Sequence, residues 1–132
     1  MKRVVLDSNV LVSALSMPYG VVGQILDAWQ ERRFILVISD YIINEVGRIL
    51  EFKMRLDRDF IVHKLGALYN LGEMVEPMYV TAEGIDDNDL PILGTAVAGF
   101  ADVLVTGVSV LCDLQHFQGV LIIRPREFLD AL

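Results

Sequence analysis

Val4-Val5-Leu6-Asp7-Ser8-Asn9-Val10-Leu11-Val12-Ser13-Ala14-Leu15 follows Met1-Lys2-Arg3, and its reading decides the fold. Arg3 to Leu6 reads as a buried strand, because its apolar residues run consecutively instead of alternating with polar ones. Asp7-Ser8-Asn9 are residue types that favour caps and turns, so the strand ends there and a short helix begins at Val10. An aspartate directly after a buried strand projects from the strand's carboxyl edge. Such an aspartate can cap the next helix, or it can do chemistry at that edge.

The same alternation continues along the chain. Val21 to Arg32 places Val22, Ile25, Leu26 and Trp29 on one helical face. Phe34 to Ile38 is a second strand, and Ser39 is a good N-cap for a helix running to about Phe52. Asp57 to Leu71 is a further helix ended by Gly72. Met74 to Val80 is a weaker strand, interrupted by Pro77 as suits an edge. Asp86-Asp87-Asn88-Asp89 opens a helix with Pro91 in its first turn. Val103 to Val105 is a strand, Val108 to Leu114 a short helical turn, Val120 to Ile123 the last strand and Arg126 to Leu132 a terminal helix. Apolar strands alternating with helices predict an α/β fold, a three-layer α/β/α arrangement with a parallel sheet covered on both faces. Function in such sheets concentrates outside the carboxyl ends of the strands, at the topological switch point.

Composition narrows the class. The 132 residues are 54% apolar with no internal repeat or linker, which predicts a single domain spanning residues 1–132. The longest apolar runs are strand-sized, well short of the roughly 20 residues of a membrane-spanning helix. The first apolar segment is too short for a signal peptide and the single Cys112 cannot form an internal disulfide, so a cytoplasmic protein without membrane association is expected. The net charge is −7, distributed unevenly. Residues 1–66 carry nine Lys/Arg against eight Asp/Glu, whereas residues 67–132 carry two Arg against ten acids. An acidic surface for solubility is one reading of this excess, and carboxylates gathered around a cation are the other.

Besides Asp7, four acidic residues bear on that choice. Ile42, Ile43, Val46, Ile49 and Leu50 form one apolar stripe at roughly 100° per residue, and Glu45 lies at its edge. From there it can snorkel to solvent or point along the sheet toward the crevice, where a buried carboxylate needs a partner. Asp86, Asp87 and Asp89 complement a helix dipole, yet they crowd together with no base nearby, which a divalent cation relieves. His63 and His116 lack zinc spacing. No glycine pattern matches a phosphate loop, and Ser8 lacks a nucleophile setting. An all-carboxylate set suits Mg²⁺ or Mn²⁺.

Val4 to Leu15 resembles the opening of PIN-domain nucleases: an apolar strand, then Asp, Ser or Thr, and Asn. Ser39 to Leu50 is similar to that family's second motif, with its acid on Glu45. Asp86 to Gly107 resembles the third, with the acid on Asp89, and Arg124 to Leu129 the closing strand and helix. The similarity covers nearly the whole chain in order and is nearest to the toxin components of toxin–antitoxin pairs. It implies a five-stranded parallel sheet with carboxylates at its carboxyl edge, and an endoribonuclease that cleaves RNA by metal-activated water. By this resemblance Asp7, Glu45 and Asp89 are catalytic metal ligands, Asp86 supports the metal, and Ser8, Asn9 and Thr106 shape the site. An antitoxin partner and a homodimer or higher oligomer are usual in the family.

The chain departs from the family pattern after Thr106-Gly107, where a fourth acid is usual. Here the positions are Val108 and Val110. Asp102 precedes the strand, roughly 13 Å away at about 3.3 Å per residue, and Asp113 lies on another face of the next turn. Weakened metal-dependent cleavage is therefore expected, with a catalytically impaired RNA- or partner-binding module as the alternative. A phosphoacceptor receiver domain would need a late lysine, and none follows Lys64. For RNA contact the basic segment offers Arg48, Lys53 and Arg55, interspersed with acids as a solvated helix face would also be.

Overall fold

The computed structural model describes all 132 residues. Strands β1 (Arg3–Leu6), β2 (Ile35–Ile38), β3 (Glu73–Met74), β4 (Val103–Val105), β5 (His116–Phe117) and β6 (Val120–Ile123) form one sheet in the order β3-β2-β1-β4-β6-β5. Helices α1 (Ser8–Ser16), α2 (Gly20–Gln30), α3 (Asp40–Arg48), α4 (Arg58–Leu71), α5 (Leu90–Ala98), α6 (Ser109–Leu114) and α7 (Pro125–Ala131) connect and flank the strands. All pairs are parallel except β5–β6. This is the mixed α/β architecture expected, with one strand more than five.

Val4, Val5 and Leu6 are all buried. Successive strand side chains point to opposite faces, so both faces of β1 are covered. Phe34 and Phe128 join the core edge to face, with ring centres 5.3 Å apart. That contact anchors α7 beside the start of β2. At the amino edge of the sheet, Arg3 donates to the Gly99 carbonyl and pairs with Glu73.

Three elements differ from the sequence reading. The sixth strand comes from a hairpin whose two-residue loop, Gln118-Gly119, holds φ values of 47° and 85°. Those angles belong to the turn type that matches strand twist. The segment 75–80 is irregular instead of a strand: only Glu73 and Met74 pair with β2. Pro77 cannot donate to a ladder, and the Met78 amide bonds the Gly94 carbonyl on α5 instead. A Cβ at Gly94 would meet the Met78 carbonyl oxygen at 2.1 Å, so glycine there permits the approach. Lastly, α5 begins at Leu90, and Asp86–Asp89 forms a separate turn closed by Asp89 N–H to the Asp86 carbonyl.

No single helix is long and apolar enough to cross a membrane. The chain fills β1, β2 and β3 outward in one direction and then returns to β4 on the other side of β1. The reversal between β1 and β4 is the switch point, with its crevice at their carboxyl ends.

Candidate functional site

Leu6 pairs with Val105 in the parallel ladder, so Asp7 and Thr106 emerge side by side at the switch point. The Asp7 amide continues the ladder to the Val105 carbonyl at 3.0 Å, which fixes its backbone. Its side chain is 2% exposed, and its Oδ2 accepts from the Thr106 hydroxyl at 2.6 Å. The Thr106 oxygen in turn accepts from the Val108 amide at 3.1 Å. Asp7 is the N-cap of α1, yet its side chain makes no cap hydrogen bond. Burial pushes its carboxyl above the ordinary range. The Thr106 hydroxyl and the Ser8 amide oppose that rise, and Glu45 adds to it.

Asp89 is likewise the N-cap of α5 without a side-chain cap bond. Its carboxyl also lies above the ordinary range, first from desolvation and then from repulsion by Asp7, Asp86 and Glu45. Acids from β1, α3 and the turn before α5 thus share one electrostatic field. Asp86 is exposed and accepts from the Asn88 amide at 2.9 Å, an Asx turn that shapes the acidic loop. Asp87 is exposed beside it. Glu45 is half-buried on α3.

Two hydroxyl contacts hold α3 against this loop. Ser39 caps α3 through Ile42 N–H and shares a 2.8 Å hydrogen bond with Thr95 of α5. The Tyr41 hydroxyl donates to the Asn88 carbonyl at 2.7 Å. Burial and the field of Glu45 keep the Tyr41 phenol protonated, its pKa raised. The sequence reading did not include Tyr41, although its place four residues before Glu45 put it on the same helical face. It also omitted Arg124, which donates to the Gly107 carbonyl and the Ser109 hydroxyl, each at 3.1 Å, and straps the loop after β4.

The remaining expected residues are distributed as follows. Ser8 is buried beside Asp7, and its hydroxyl oxygen has no hydrogen-bond partner. Asn9 is exposed. Val108 is the half-buried N-cap of α6 and Val110 is exposed. Asp102 accepts from the Arg3 amide at the opposite edge of the sheet, and Asp113 is exposed on α6. Neither fills the place of an acid at Val108. Arg48, Lys53 and Arg55 are exposed at the end of α3 and beyond.

No three acidic or imidazole side chains converge on one point. Chemically, the group still fits a hard divalent cation. Its donors are oxygen only, no Lys or Arg pairs with its carboxylates, and the buried Ser8 hydroxyl at the same edge lacks a partner. Asp7, Glu45 and Asp89, with Asp86 nearby, are the residues that would hold it.

Comparison with known proteins bears on the family and the fold. A family model described as PIN domain matches residues 3–107. An uncharacterised protein of Methanocaldococcus jannaschii is 28% identical over 140 residues, covering 97% of this chain and 90% of that protein. A chain in the crystal structure of VapBC2 from Rickettsia felis, bound to a DNA fragment from their promoter, superposes with a TM-score of 0.63. It is 16% identical, over 92% of this chain and 98% of that one, a likeness of fold.

Proposed function

Because this chain belongs to the PIN-domain family, we propose that it is a Mg²⁺- or Mn²⁺-dependent endoribonuclease and the toxin of a toxin–antitoxin pair. The observation that carries this is the pair of aspartates at the switch point, Asp7 and Asp89, which make no side-chain cap bond and lie near enough for the charge of Asp7 to raise the Asp89 carboxyl. Two like charges kept near one another without a base form an unfavourable arrangement that a divalent cation relieves. When bound, the cation supplies activated water and neutralises charge on the attacked phosphate.

The chain's own residues do the positioning. The Thr106 hydroxyl donates to Asp7 Oδ2 and so orients the carboxylate. Ser39 with Thr95, and Tyr41 with Asn88, hold Glu45 and Asp89 on neighbouring elements. The burial of Asp7 strengthens its electrostatic interactions with whatever enters the crevice. The protein acts without an acid at position 108, so turnover is slower than four carboxylates would give. An antitoxin and a second copy of the chain are the partners this reading implies.

A fluorogenic RNA assayed with Mn²⁺, Mg²⁺ or EDTA tests the reading. Cleavage is expected with either metal, lost with EDTA and lost in Asp7→Asn. Val108→Asp should raise turnover; no gain means that the fourth carboxylate does not limit it. An Asp7→Asn variant with full activity would overturn the assignment. The valines at 108 and 110 favour a second reading, a PIN fold that binds RNA or a partner without turnover. Binding without product would support it.

A further inference from the structure

The face of α3 that carries Glu45 continues past the end of the α-helix. α3 runs into a π-helical turn, Ile49–Lys53, a widened geometry frequent at functional sites. Glu45, Arg48, Ile49, Phe52 and Lys53 line one shallow groove of about 270 Å³. Their spacing of three and four residues puts them on one side of the helix. Phe52 is 69% exposed. Arg48 and Lys53 form no ion pair, although Glu45 and Glu51 each lie three residues from Arg48. The groove therefore starts at an acid of the candidate site. Within seven or eight residues, roughly 10–12 Å along the axis, it presents the exposed Phe52 ring beside two cations that form no salt bridge.

We propose that this groove seats one nucleotide of single-stranded RNA flanking the cleaved phosphate, with its base stacked on Phe52 and its phosphates against Arg48 and Lys53. The proposal rests on the nuclease reading above and adds a base-stacking subsite to it. Charge makes the division of labour. The acids at the switch point repel a polyanion, so affinity has to come from a neighbouring surface, and this groove supplies both stacking and counter-charge. A base within a duplex cannot stack on a protein ring, which selects unpaired RNA. Arg55 lies past the turn at a φ of 51° and does not line the groove, so it is outside the subsite.

The experiment is an anisotropy titration of short fluorescent single-stranded RNA against the full chain carrying Asp7→Asn, which blocks turnover, with Mn²⁺ present. Phe52→Ala should weaken binding by about tenfold or more, and Phe52→Trp should retain it. Arg48→Gln and Lys53→Gln should each flatten the salt dependence by about 0.7 in log–log slope, whereas Arg55→Gln should leave it unchanged. A fully paired hairpin should compete poorly. Phe52 is mostly exposed, so its variants fold, and light scattering reads their mass. Unchanged RNA affinity in Phe52→Ala overturns the proposal, and so does a loss of dimer mass in RNA-free Phe52→Ala. If the Asp7-bearing protein binds RNA through Phe52 but never cleaves it, the groove stands and the nuclease reading falls. If it cleaves RNA and Phe52→Ala changes neither binding nor cleavage, the nuclease reading stands and the groove falls. A chain that binds no RNA overturns both.

Discussion

Asp57 at the start of α4 and Asp7 at the start of α1 hold the same position in their helices and use it in opposite ways. Asp57 turns its carboxylate onto the Asp59 and Phe60 amides, at 3.1 and 3.4 Å, as an N-cap normally does. Asp7 leaves the equivalent α1 amides without a side-chain partner. Asp89 also makes no side-chain cap bond, but there Pro91 offers no amide and the Ile92 amide bonds the Asp89 carbonyl. The capping bond is worth about 1 kcal/mol, and α1 forgoes that stabilisation. Asp57 is exposed. Asp7 and Asp89 are both held above the ordinary carboxyl range chiefly by desolvation, with Glu45 adding to the rise at Asp7 and Asp7, Asp86 and Glu45 adding to it at Asp89. The difference separates carboxylates that serve the fold from carboxylates the fold positions at its own expense.

The largest expected effect breaks this comparison at the switch point. Asp7→Asn and Asp89→Asn each keep side-chain shape but remove a charge that would hold the cation. RNA cleavage in Mn²⁺ should fall by roughly 100-fold or more in both, since the metal's contribution is several kcal/mol. Asp57→Asn, assayed beside them, should stay within about twofold. Equal losses at all three positions would erase the distinction.

Next in size is Thr106→Val. It removes the hydroxyl that donates to buried Asp7 while nearly preserving volume. Partners that orient a ligand typically matter by about 10–100-fold, so cleavage should fall in that range, and Thr106→Ser should recover most of it. A Thr106→Val enzyme with wild-type turnover would show that Asp7 needs no orientation.

Much of this was legible before the fold was known, because local patterns carry it. Asp7 follows an uninterrupted apolar run, and Glu45 sits at the rim of a helical stripe. What was hidden depends on tertiary contact or unusual local geometry. Ser39 and Thr95 are 56 residues apart, and nothing in either neighbourhood announces their hydrogen bond. The hairpin of β5 and β6 turns on a glutamine at positive φ, a residue that rarely signals such a turn. The segment 75–80 has strand composition but is drawn onto α5 by the space at Gly94. Tyr41 could have been found, since it repeats the Glu45 face one turn earlier.

A smaller effect concerns stability without metal, and its sign follows from Asp7. Its folded pKa is raised, chiefly by burial. The folded state therefore binds the proton more tightly than the unfolded chain, and Asp7 destabilises the fold wherever it is ionised. This penalty is absent below the unfolded value near 3.8 and grows as pH rises through the folded pKa. In EDTA, Asp7→Asn should melt several degrees above the unaltered protein at pH 7.5, with the gap closing as pH falls toward 4. Adding Mn²⁺ should raise the melting temperature of the unaltered protein more than that of the variant. A variant less stable at pH 7.5 in EDTA would contradict the burial penalty. Asp89→Asn should show the same sign with a smaller gap, because solvent reaches Asp89.

The smallest expected effects are at Asp57, where they sharpen the contrast. Asp57→Ala removes the acceptor for Asp59 N–H and Phe60 N–H, which should cost about 1 kcal/mol and lower Tm by roughly 4 °C in a domain of this size. Asn caps a helix about as well as Asp, so Asp57→Asn should lose only the charge–dipole part, about 0.3–1 kcal/mol. One chemical change then has opposite consequences: amidation at Asp7 stabilises the metal-free fold and stops cleavage, whereas amidation at Asp57 mildly destabilises it and leaves cleavage intact. Paired melts and cleavage rates for the two variants measure this crossing directly. It fails if Asp57→Asn is the more stabilising of the two, because a helix cap and a cation site would then be indistinguishable at these helix starts.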